Sequence, residues 1–102
     1  MTKEVYDKIY YEDSMVNSCY HQATFWFKAP VDILNGGFPE AHSAEIMIEV
    51  PIYSMDAQHA QVSFSPVAED GERYFWYSAE MDEDEIKGLI ALAKLKEMKW
   101  QV

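Results

Sequence analysis

Cysteine, glycine, proline and basic residues are all scarce in this chain, and each scarcity removes a class of protein. Cys19 is the only cysteine among 102 residues. No internal disulfide can form, and a buried or inert thiol in a reducing compartment is expected. With four glycines and four prolines there is no internal repeat, low-complexity tract or interdomain linker. No run approaches the ~20 apolar residues of a membrane-spanning helix, and Met1-Thr2-Lys3-Glu4 does not lead into a signal-peptide core, so the chain reads as cytoplasmic. Eight basic residues against eighteen acidic ones leave a net charge of −10. Such a field disfavours direct contact with DNA, RNA or an anionic membrane and favours a basic partner.

What is present supports one folded unit. The 49% hydrophobic content argues against disorder and suits a single α+β domain over residues 1–102. Val62, Phe64 and Pro66 alternate with Gln61, Ser63 and Ser65, the period of two of a half-buried strand. Glu69-Asp70-Gly71-Glu72 then supplies turn residues. Tyr74-Phe75-Trp76-Tyr77, aromatic on both faces, reads as an inner strand. The helix that follows starts with Asp82 as N-cap, Glu85 completing a capping box, and Met81 and Ile86 as a hydrophobic staple. Along it Ile86, Leu89, Ile90, Ala93 and Trp100 share one side, while Ala91, Leu92, Leu95 and Met98 fall largely opposite and offer a second apolar side to a partner or a second copy.

Upstream, Val5 to Tyr11 mixes helix spacing with tyrosines and β-branched residues and is read as strand. Glu12-Asp13-Ser14 reads as a turn and the residues up to Asn17 as a connection. From Ser18 to Lys28, Cys19, His21, Ala23, Phe25 and Phe27 form the expected core face, with Trp26 an exposed anchor on the other. Residues 30–44 form the longest loop, with a helical turn around Val31 to Leu34. Glu45 to Val50 alternates with Ile46, Ile48 and Val50 inward, and Glu45, Met47 and Glu49 outward. The sum is an antiparallel sheet of four to five strands with one C-terminal helix packed on it.

No catalytic motif emerges, so the chain is not expected to be an enzyme or to hold a cofactor or metal. Cys19 and His21 would share a strand face, yet zinc needs more ligands, and His42 and His59 lie in loops without diagnostic spacing. His42-Ser43-Ala44-Glu45 could pair an imidazole with a carboxylate, with nothing else in support. Asn35-Gly36-Gly37 lacks the Gly-Lys-Ser/Thr ending of a phosphate loop.

The strongest signal is charge. Eight of the seventeen residues from 69 to 85 are acidic: Glu69, Asp70, Glu72, Glu80, Asp82, Glu83, Asp84 and Glu85. Capping uses Asp82 and Glu85, and the helix dipole tolerates Glu83 and Asp84, but the cluster exceeds what a cap requires. The expectation is a small non-enzymatic inhibitor or adaptor whose carboxylates stand in for phosphates in the groove of a basic, nucleic-acid-handling partner such as a nuclease. Outward Glu45 and Glu49, about 13 Å apart on a strand, would suit that spacing. The strategy parallels phage-encoded inhibitors of restriction or CRISPR nucleases in size and charge alone. The alternatives are a small-molecule-binding domain or small enzyme with an aromatic pocket between sheet and helix, with His21 a candidate lining residue, and a structural homodimer joined through Leu92, Leu95 and Met98.

Overall fold

The computed structural model describes the backbone of residues 1–100 and the side chains of residues 1–96. Helix α1 (Lys3–Tyr6) precedes five antiparallel strands, β1 (Tyr10–Asn17), β2 (Gln22–Ala29), β3 (Ser43–Pro51), β4 (Gln61–Val67) and β5 (Tyr77–Ala79), and the chain ends in α2 (Glu83–Trp100). The strands lie in chain order, each bonded to its neighbour. This meander with a C-terminal helix is an α+β fold. Short 3₁₀ turns occupy Val31–Leu34 and Ala57–His59.

Alternation decides which face the helix covers. Ala23, Phe25, Phe27 and Ala29 of β2, Ile46, Ile48 and Val50 of β3, and Val62 and Phe64 of β4 are buried together with Ile86, Leu89, Ile90 and Ala93 of α2. Each fully buried large side chain among them, such as Phe27 or Leu89, contributes about 1.5–3 kcal/mol. The opposite face carries Gln22, Thr24, Trp26 and Lys28 beside Glu45, Met47 and Glu49 in register. Trp100 and Met98 lie outside the described side chains.

Tertiary pairing overrides local preference in four places. The segment read as strand from Val5 begins instead as one helical turn, whose Val5 amide donates to Thr2 Oγ1 at 3.2 Å, and β1 starts only at Tyr10. Glu12-Asp13-Ser14 is not a turn but the middle of β1. The register shifts between Tyr11 and Asp13, so Glu12 is the extra residue of a bulge, with its carboxylate 3.5 Å from Lys28 Nζ. Cys19 and His21 are not core. Asn17 Oδ1 accepts from the amides of Cys19 and Tyr20 at 3.1 and 3.4 Å, which closes a turn before β2 begins and leaves Cys19 exposed. Finally, Tyr74 to Trp76 form no strand; β5 is three residues long and sits at the sheet edge.

Gly88 shows how α1 is fastened to α2. The Tyr6 hydroxyl donates to the Glu85 carbonyl at 3.2 Å, and a Cβ on Gly88 would fall on that hydroxyl. Burial, then the nearby Glu85 charge, raises the Tyr6 pKa. On helix propensity alone Gly88→Ala should stabilise by about 1 kcal/mol. We predict the opposite sign in the wild-type background, and recovery of the gain in Tyr6→Phe/Gly88→Ala, where the hydroxyl is gone. A double-mutant cycle by urea denaturation measures the coupling.

Candidate functional site: carboxylates around a clamped connection

The connection between β4 and β5 is shaped by the only basic residue between Lys28 and Lys87, Arg73. Its Nε and Nη2 donate to Glu45 Oε2 at 3.1 and 2.9 Å, and its guanidinium carbon lies 5.4 Å from the centre of the Trp76 ring. Glu45, expected to stand free on the outer face, is on that face but only 3% exposed. The buried charge is held by the guanidinium, which in turn has its pKa raised by the bond to Glu45. Glu12 approaches the same nitrogen at 3.9 Å. Burial raises the Glu12 pKa, the adjacent Glu45 raises it further, and Lys28 opposes both.

Two backbone bonds fix what lies beyond the clamp. Tyr74 N donates to Pro66 O at 2.9 Å and His42 N to Val67 O at 2.8 Å, so the loop before β3 and the segment after Arg73 are tied to the same end of β4. Between them opens an apolar groove of about 340 Å³, lined by Phe38, Pro39, Ala41, Tyr74 and Phe75 with Glu40. Phe38 stands 5.5 Å from Phe75 and 5.6 Å from Tyr77, ring centre to ring centre. Tyr74 and Phe75 each remain 49% exposed, which an inner strand would not allow.

The acidic series does not form one ridge. Glu69, Asp70 and Glu72 occupy the turn closed by Ala68 N to Glu72 O at 2.8 Å, at the end of β4 where Val67 meets Arg73. Glu80 and the residues after it follow Ala79, which pairs with Val62 at the other end of β4. Five strand steps of ~3.4 Å put the two groups roughly 17 Å apart. At the second group Glu85 Oε1 accepts from the Asp82 amide at 3.1 Å, the expected closure of the cap, and Glu83 pairs with Lys87 at 3.4 Å. Asp84 is exposed in the first turn of α2.

The other expected residues are dispersed. Glu49 is half-buried and accepts from Gln22 Nε2 at 2.9 Å. Trp26 is half-buried on the outer face, opposite Asp13 of β1 and Met47 of β3. Leu95 is 61% exposed, with Leu92 half-buried beside it on α2.

At the far end of the sheet, Tyr20, His21, Glu49, Tyr53 and His59 border a cleft of about 510 Å³. The Tyr53 hydroxyl lies 3.3 Å from His21 Nδ1, and His59 Nδ1 lies 2.8 Å from Asp56 Oδ2. Asp56 also accepts from Gln58 N at 2.9 Å; that bond first, then His59, lowers its pKa, so it serves as the cap of a 3₁₀ turn. A cleft that borders both sheet and α2, about 330 Å³ in volume, is lined by Ala57, Val62, Ala79, Met81 and Ile86 among others and has no aromatic wall. Among the described residues no group of three His, Cys, Asp or Glu side chains is placed to hold a metal ion, and no helix is long and apolar enough to cross a membrane. Compared with protein-family models, curated proteins and solved structures, the chain matches none.

Sequence reading missed the groove. An apolar Phe38-Pro39 beside two glycines in a loop, and adjacent aromatics after an acidic turn, were its available signals. It also missed Arg73, whose isolation among acids was itself the clue.

Removing Arg73 strands a buried carboxylate. Arg73→Ala should therefore cost about 2 kcal/mol, part of it restored by adding Glu45→Gln; chemical denaturation reads both. For Glu12 the raised folded-state pKa means that the ionised form is penalised in the fold, so its contribution falls as pH rises through the carboxylate range and stays unfavourable above it. Glu12→Gln should raise Tm at neutral pH, with the advantage shrinking as pH falls through the raised Glu12 pKa and gone below the ordinary glutamate value.

Proposed function

We propose that this chain is a small non-enzymatic protein-binding module, an inhibitor or adaptor, that engages a basic surface on a partner protein. One observation carries the reading. Glu69, Asp70, Glu72, Glu80, Asp82 and Asp84 are all exposed, and among the described residues none of them has an ion pair. The lysine, arginine and N-terminal cations that the fold places near carboxylates are used internally, Arg73 on Glu45, Lys28 on Glu12, Lys87 on Glu83 and the Met1 amine on Glu85. What remains is a surface field that a basic partner would neutralise.

A nucleic-acid-handling protein, such as a nuclease, is the partner class that this charge suits best. The strand-spaced form of phosphate mimicry loses its support, because Glu45 is buried under Arg73 and Glu49 is tied to Gln22. The two exposed groups at opposite ends of β4 are the better candidates for contact.

Affinity capture from a cell lysate at low salt tests this directly, with wild type beside Glu80→Lys/Glu83→Lys/Asp84→Lys. Surface charge at a helix start contributes only ~0.3–1 kcal/mol per group, so the variant should fold. Wild type should retain a basic partner that a salt wash releases, and the variant should not. Equal capture by both, at low salt, contradicts the reading.

A further inference from the structure

We infer that the groove between Phe38 and Phe75 is a docking site for a basic peptide segment with one aromatic anchor, contributed by the partner protein. The inference rests on the basic-partner reading and adds where contact is made and what chemistry it selects.

Three observations converge on that end of the sheet. The groove is walled by Phe38, Pro39, Ala41, Tyr74 and Phe75 and, at about 340 Å³, lies at the lower end of the range of ligand pockets, with room for one large anchoring side chain. Its walls are held in place without a ligand, by the Tyr74 and His42 backbone bonds to the end of β4 and by the edge-to-face contact of Phe38 with Phe75 and its tilted contact with Tyr77. A preformed aromatic slot of this kind binds an anchor with little ordering cost. The charge beside it is of one sign. Glu40 is part of the lining, Glu69, Asp70 and Glu72 occupy the adjoining turn, and Arg73 is turned away onto Glu45. An apolar anchor flanked by lysine or arginine satisfies both parts, whereas an acidic or neutral segment would satisfy only the slot.

A second copy of the chain is disfavoured as occupant by its own charge of −10. Its one basic stretch, with Lys94 and Lys96 beside exposed Leu95, makes self-docking a measurable outcome nonetheless. The larger cleft near His21 and Tyr53 lacks this complementarity, since its one carboxylate, Glu49, is already bonded to Gln22.

The test is titration of the isotopically labelled chain at low salt with the peptide Lys-Arg-Lys-Trp-Lys-Arg-Lys, followed by amide shifts. Shifts should concentrate in residues 37–41 and 69–75. Replacing the peptide's tryptophan by alanine should weaken binding about tenfold, as truncation of an anchor does, and Phe75→Ala should do the same. Should Phe75→Ala disturb the stack and unfold the chain, Tyr74→Ala and Glu40→Lys, both at exposed positions, carry the test. Equal affinity for the two peptides, or shifts gathered at residues 80–85, overturns the groove while leaving the basic-partner reading intact. Failure of both peptides to bind at low salt overturns both. Peptide-independent shifts that grow with protein concentration and vanish in Lys94→Glu/Lys96→Glu would give the groove to a second copy and equally overturn the inference.

Discussion

The bond between Arg73 and Glu45 is the constraint on which the outer half of this molecule depends. A carboxylate at 3% exposure has to find its partners within the protein, and Arg73 supplies two hydrogen bonds to it. To reach Glu45, Arg73 must lie over the outer face, where it stacks on Trp76. Arg73 also pairs with Val67 in an isolated bridge, and regular pairing resumes only at Tyr77, where β5 begins. The bulged Glu12 lies beside this pair, and the acidic turn ends at Arg73.

Much of the interior was legible because it obeys simple periods. The alternation in β2, β3 and β4, the 3₁₀ turn at Val31–Leu34 and the buried side of α2 all follow from spacing. The cap was legible too, since Glu85 closes onto Asp82. What escaped was set by contacts distant in sequence. A turn-like Glu12-Asp13-Ser14 becomes strand because β2 pairs with it and Lys28 and Arg73 await the bulged carboxylate. Tyr74-Phe75-Trp76 has the composition of a strand, yet Arg73 is committed to Glu45 on the outer face and Phe75 to the stack with Phe38. Cys19 and His21 kept the right parity for the core face but fell beyond the strand end, where Asn17 closes the turn.

Burial of charge also changes how the acidity must be counted. Formal charge treats every carboxylate alike, but Glu45, Glu12, Glu83 and Glu85 are matched within the fold, while Glu69, Asp70 and Glu72 in the turn after β4 and Glu80, Asp82 and Asp84 around the start of α2 are not. The unmatched groups sit at the two ends of β4, one beside an open aromatic slot and the other at the positive end of a helix dipole. Charge at these places costs the fold little and remains free to act on a partner.

Basic-partner recognition through this field makes a kinetic demand. For a partner obtained by affinity capture, the association rate constant should fall steeply as ionic strength rises, with the dissociation rate changing far less, because unmatched surface carboxylates accelerate encounter over distances that salt screens. Measuring both rate constants across a salt series decides the matter. An association rate that does not respond to salt would mean that the carboxylates do not guide binding and would contradict the account.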